Sequence, residues 1–447
     1  MERYNGPSAS QNTTSSTLST WTLRAAAALC LAGYILVYAG GRAGNPIRSD
    51  GFSYYVYLPS WFLFHDTTLS AVARDCCGGV FPSYTAIIRW PDTRRWVNAH
   101  PIGVAIMQAP MFGVAHALTR WTNLSPDGFT LYYQHAVGLS GLWWIVAGLV
   151  VLGRVLRRHF SDSVTAATLL TILLGTNLYH YATFDSFFSH PYSFFLFAAF
   201  LDLTETWYAQ PRQSTSVLLG LVAGLIVITR HTNVLFLSFF PLYGVWSVEE
   251  FRARLGFIRC EARLVAVIGI VAALVVAPQL AIYYQATGRP FISSYGNLGF
   301  NFGSPRIAGV LFSVQKGLFF WSPLLLPACA GLFGLARSGG HSARAFVLPA
   351  VLFLVANTYV IASWWDWQFG GSFGHRAFVD ALPVFAIGLA AFFEWSGRNP
   401  ARWRVVSSVV VIAIALNLFQ MLQYWNGVMP MSDTTWSQYR GVFLRWR

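Results

Sequence analysis

Apolar stretches close to membrane-spanning length recur from Leu23 to the C-terminal region of this 447-residue chain. About 20 apolar residues carry an α-helix across a bilayer. With only 11% charged residues against 55% hydrophobic, the chain lacks the polar surface of a soluble domain, which is usually about 25% charged. One helical bundle fits better than several globular domains. The expected fold class is an all-α polytopic membrane protein of roughly eleven spans, near 23–41, 134–153, 164–182, 187–203, 216–229, 233–246, 264–284, 318–336, 345–363, 378–395 and 405–423. The polar, low-complexity stretch 5–20 is expected to be disordered, which makes 1–22 a tail. That tail lacks the basic start of a signal peptide, so the first apolar run reads as an uncleaved anchor.

The formal charge of +13 rests on 29 Arg and the single Lys316. No basic cluster is interleaved with aromatics on a soluble segment, so nucleic acid is not an expected partner. On short loops the charges orient the bundle, since they collect on the cytoplasmic side. The stretch 102–118 decides the count. Read as an interfacial helix, it leaves Arg154, Arg157, Arg158, Arg252, Arg254, Arg259, Arg263, Arg337, Arg344, Arg398, Arg402 and Arg404 inside. Read as a span, it puts them all outside. The first reading wins, and Pro110 suits a helix broken at the interface. The N-terminus is then cytoplasmic. A loop over 42–133, the segments 285–316 and 364–377 and the tail 424–447 lie outside, as expected for a bacterial inner-membrane protein. The five cysteines show no CxxC pair or metal-ligand spacing, and a bridge between Cys76 and Cys77 would be strained, so all five read as structural or incidental.

The outer face carries the residues that could do chemistry. Asp50 opens an aromatic run, Tyr54, Tyr55, Tyr57, Trp61 and Phe62, suited to headgroup level. A carboxylate held there can take a proton from an attacking hydroxyl, or simply cap the helix expected from Gly51. Asp185 lies at the next outer junction. With His180 and His190 it offers a divalent metal site, a hydrogen-bonded support for Asp50, or only a satisfied turn. Arg230, Arg289, Arg306, Lys316 and Arg376 return to this face from distant parts of the chain. They suit a phosphate, although each could instead reach toward lipid headgroups. The segment WWDWQFGGSFGHR, with Trp365, Asp366, His375 and Arg376, fits either a ligand-contacting turn or an interfacial tryptophan belt.

These residues, in this order, resemble the GT-C superfamily of membrane glycosyltransferases, which includes protein O-mannosyltransferases and lipid A aminoarabinose transferases. Asp50 in SDGFSYYVYLP matches the acidic residue early in the first outer loop. His100 in NAHPIGVAIMQAP matches the HP stretch before the next span, and Asp185 in TFDSFFSHPYSFF matches the second acidic position. The strings at 50–60, 189–195, 317–323 and 370–376 also resemble uncharacterised bacterial members. The chain departs from many members in having a lone Asp in the first motif, and in showing no large soluble segment after the last expected span.

The resemblance implies a GT-C-like bundle with interfacial helices in the first outer loop. It also implies transfer of a sugar from a polyprenyl-phosphate donor to a hydroxyl of a lipid, glycan or protein acceptor. Asp50 would be the base and Asp185 a second catalytic carboxylate. His100, His190, Arg230, Arg289, Lys316, Trp365, Asp366, His375 and Arg376 would bind substrate, among membrane lipids. One carboxylate with a phosphate leaving group suits inversion. The competing readings are a transporter or lipid flippase, which the lack of an internal repeat disfavours, and a non-catalytic scaffold.

Overall fold

The computed structural model describes residues 17–446 apart from Asn297 and Gly339. Helices dominate. Five of those described are long and apolar enough to cross a bilayer: Leu18–Ala39, Leu131–Arg157, Ala262–Thr287, Ser342–Ser363 and Pro400–Trp425. Shorter apolar helices accompany them at Asp162–Leu174, Gln213–Thr229, Leu325–Arg337 and Leu382–Gly397. The protein buries only 6% of the most apolar window of Ala262–Thr287 and 17% of that of Pro400–Trp425. Helices that expose apolar surface so widely are stable against lipid rather than water. This is an integral membrane protein.

Several expected spans are not single helices. The stretch 164–182 stops at Leu174 and resumes at Leu178–Thr183. Asn417 repairs the break, donating from Nδ2 to the carbonyls of Leu174 (2.8 Å) and Thr176 (2.9 Å). Pro323 separates the turn Leu318–Trp321 from Leu325–Arg337. The stretch 233–246 is a 3₁₀ helix, His231–Ser238, followed by one α turn, Phe239–Leu242. A 3₁₀ helix rises about 2.0 Å per residue and so covers more depth per residue. The span expected from 378 becomes α-helical only at Leu382. Among the described residues, several of the roughly eleven expected spans are therefore interrupted or start late. Apolar composition marks depth in the membrane, whereas a break depends on whether a neighbour can satisfy the freed carbonyls.

Other expectations are corrected as well. Thr17–Ala39 is helical, so residues 17–20 are not disordered; 1–16 lie outside the described residues. Helix Gly103–Trp121 continues through Pro110 and packs along Leu131–Arg157, with the Trp144 indole donating to the Met107 carbonyl (3.1 Å) one turn before the proline. It is a packed helix, not a broken one. Within the first loop lie the short helices Asp50–Tyr55, Tyr57–Phe62 and Ser70–Cys77. An antiparallel hairpin, Ile87–Arg89 with Trp96–Asn98, interrupts the all-α pattern there. Cys76 and Cys77 form a disulfide where the third helix ends; Gly78 and Gly79, both at positive φ, let the chain leave.

Two glycines bring Gln213–Thr229 against Ala262–Thr287. A Cβ at Gly220 would lie 2.6 Å from the Ile268 carbonyl oxygen, and one at Gly224 2.6 Å from Val275 Cβ. The four-residue spacing puts both on one helix face, a common means of membrane helix association. Polar contacts tie one end of the bundle: Arg158 pairs with Asp202 (2.7 Å) and Glu205 (2.9 Å), His159 lies 2.9 Å from Glu205, and His341 lies 3.2 Å from Glu394. At the opposite helix ends, the first loop and the segments 292–300 and 364–377 enclose a cavity.

Candidate functional site

The cavity measures about 420 Å³. Asp50, His100, Arg230, Trp365, Asp366 and Arg376 line it, joined by Tyr54, Tyr295 and Trp364.

Asp50 reaches the wall through a constrained turn. Ser49 sits at φ 50°, an unusual value for a residue other than glycine, and the helix Asp50–Tyr55 starts immediately after it. A side chain at position 51 would run into the Phe187 ring, so glycine is required there. No side chain caps this helix, so Asp50 does not act as the cap. Its Oδ2 instead pairs with Arg376 Nη2 at 3.1 Å. Arg376 lies 5.1 Å from the Phe188 ring centre and 5.9 Å from that of Phe369. Burial opposes its charge, but Asp50 together with Tyr181, Tyr54 and Asp185 outweighs burial and holds the guanidinium above its ordinary pKa.

Arg230 takes an extended conformation (φ −152°, ψ 123°) between Gln213–Thr229 and the 3₁₀ helix His231–Ser238. Its Nη1 pairs with Asp380 at 3.1 Å, and its guanidinium lies 5.5 Å from the Phe369 ring centre. The same phenyl ring thus contacts both cavity arginines, favouring cations on its faces. Phe369 adopts φ 58° and Gly370 φ 60°. That turn, foreshadowed by the paired glycines 370 and 371, aims the ring inward.

The hairpin delivers His100. Asn98 Nδ2 donates to the Ser53 carbonyl (2.7 Å), and the His100 amide donates to Asn98 Oδ1 (3.0 Å). Burial pushes the imidazole down to about 4, which leaves it neutral near pH 7. On the remaining side Trp364 packs against Tyr295 (centroids 5.2 Å apart) and Phe300 (4.8 Å). The Asn301 amide, donating to the Ser363 carbonyl at 2.6 Å, holds this wall to its helix.

Five expected site residues lie elsewhere. Asp185 does not line the cavity: it is buried, paired with Arg48 (3.1 Å) and His180 (2.8 Å). Burial raises its carboxyl, but His180 and then Arg48 outweigh burial and hold it below the usual range. His190 turns to Asp380 (2.8 Å) instead of Asp185. Among the described residues no three His, Cys, Asp or Glu side chains are placed to hold a metal ion. The expected His180, Asp185 and His190 set therefore does not fit one. Lys316 is buried, its Nζ bonded to the carbonyls of Ser372 and Met431, the latter at 2.7 Å. Arg289 is exposed beyond helix Ala262–Thr287. His375 is buried beside the rings of Phe369 and Phe378.

The sequence reading passed over Asp380, which gathers His190, Arg230 and Asn233. A signal existed, since an acidic residue inside an expected span, 378–395, is costly unless it is used. Tyr295 carries no comparable signal.

Comparison with solved structures finds an archaeal oligosaccharyltransferase, AglB from Archaeoglobus fulgidus, in complex with an inhibitory peptide and a dolichol-phosphate. The TM-score is 0.50 at 11% identity, over 96% of this chain and 54% of that one, so this chain spans about half its length. No protein-family profile and no curated sequence matches. At this identity the likeness is one of fold alone.

Proposed function

We propose that the protein is a glycosyltransferase that moves a sugar from a polyprenyl-phosphate donor to an acceptor hydroxyl at the extracytoplasmic face of a bacterial inner membrane. The observation that carries this reading is the Asp50–Arg376 ion pair on the wall of a cavity that Arg230 also lines. A carboxylate that can take a proton thus stands beside cations that can hold a leaving phosphate. The fold likeness supports the reaction class. The dolichol-phosphate in the complex of that neighbour accords with a lipid-phosphate donor.

In the reaction, Asp50 takes the acceptor's hydroxyl proton as its oxygen bonds to the anomeric carbon from the face opposite the phosphate. The carbon–oxygen bond to phosphate breaks, and its electron pair leaves with the polyprenyl phosphate. That product gains one negative charge, which Arg230 and Arg376 stabilise. The sugar inverts at the anomeric carbon. His100, neutral here, offers hydrogen bonds without competing for the proton, and Trp364 and Trp365 offer faces for sugar rings. The test is to supply purified protein with radiolabelled polyprenyl-phosphate sugars and envelope acceptors. Transfer that continues undiminished in Asp50→Asn would remove the base and this mechanism with it.

A further inference from the structure

Arg230 has no helix to hold it, because the chain is extended at that residue. Its hydrogen-bonded partner is Asp380, which comes from the turn before helix Leu382–Gly397, is 2% exposed and does not line the cavity. Asp380 Oδ2 accepts from Arg230 Nη1 and Asn233 Nδ2, both at 3.1 Å, while Oδ1 lies 2.8 Å from His190 Nδ1. Asn233 is held in turn by Ser193 Oγ at 3.0 Å. A buried carboxylate is tolerated only when its lone pairs are filled, and here His190 from helix His190–Ala209, Asn233 from the 3₁₀ helix and Arg230 from the extended link before it fill them together.

We propose that Asp380 is a positioning residue that presents Arg230 to the phosphate of the lipid-linked donor, an inference that rests on the glycosyl-transfer reading. One guanidinium nitrogen is anchored to Asp380, leaving the other donors of the fork for an oxyanion in the cavity. Asn233 and His190 fix the carboxylate so that the fork keeps one orientation. The two arginines are then held differently. Arg376 pairs with a carboxylate that itself faces the cavity, whereas Arg230 pairs with one sealed behind the wall. Arriving phosphate therefore competes with Asp50 for Arg376 but finds Arg230 already set.

The experiment measures binding of decaprenyl phosphate and of uncharged decaprenol to the full-length protein in detergent, using quenching of tryptophan fluorescence. Wild type should prefer the phosphate. Asp380→Asn should lose about tenfold of that preference while its decaprenol affinity stays unchanged, and Asp380→Glu should recover part of it. The double variant Arg230→Gln with Asp380→Asn should lose no more than Arg230→Gln alone, as expected of residues acting through one group. Equal loss of both ligands in Asp380→Asn would assign Asp380 a purely structural role and overturn the proposal, as would full retention of the phosphate preference. Should Asp380→Asn fail to fold, Asp380→Glu, which keeps the buried charge, carries the same comparison. A wild-type protein with no preference for the phosphate would bring down the glycosyl-transfer reading, and this inference with it.

Discussion

Asp50 and Lys316 show how differently two ionisable side chains near one site can be used. Asp50 is partly exposed to the cavity and shares its charge with Arg376. Replacing it with Asn preserves shape and removes the proton acceptor. Transfer activity should fall by about 10²–10⁴-fold, the usual worth of a positioned base, while circular dichroism and melting in detergent stay close to wild type. Lys316 works away from the cavity, clasping the 426–435 segment to the 372–375 turn through two carbonyls. Burial, and then Arg376, push its ammonium down to about 7. Between that value and the usual lysine value of 10.5, the unfolded chain binds the proton more tightly than the folded one. Stability from this group therefore rises with pH across that window. Lys316→Met should flatten the rise, shifting the wild-type pH dependence of the melting temperature by about a few degrees.

At the scale of elements, the position of Arg230 depends on how closely Gln213–Thr229 approaches Ala262–Thr287. Gly224→Leu would drive a side chain into Val275. Overpacking of this kind costs about 1–3 kcal/mol or more, and it should also weaken donor binding, because the helix that ends at Arg230 must move. Gly269→Val provides the contrast. It lies on the partner helix with open space around its Cβ position, so melting and activity should both hold. A drop in melting temperature confined to the first variant would tie the site to that helix contact.

For the whole molecule, the two ends of the bundle differ in chemistry. One carries ion-paired helix ends rich in arginine, and the other carries the cavity and the disulfide-bearing loop. If the arginine-rich end faces the cytoplasm, a membrane-impermeant maleimide applied to intact spheroplasts after mild reduction should label Cys76 and Cys77. Exposed Cys260, beside Arg259 and Arg263, should react only once the membrane is opened. The reverse pattern would invert the orientation and move the proposed chemistry to the other side.

Much of this organisation was legible in the chain itself. Apolar recurrence determined a membrane bundle because a helix that exposes such surface needs lipid around it. Local strings also placed Asp50, His100, Arg230 and the 364–376 segment near one face, since residues at the outer ends of spans share a depth whatever their neighbours do. Tertiary structure alone decided which of them meet. Asp185 and Asp50 read alike as outer carboxylates, yet Arg48 and His180 claim the first while Arg376 brings the second to the cavity. Asp380 and His190, far apart along the chain, become partners through helix packing. Hydropathy reports the depth of each residue in the bilayer. Contacts around the bundle depend on rotation and on close backbone approach, and a one-dimensional pattern encodes neither.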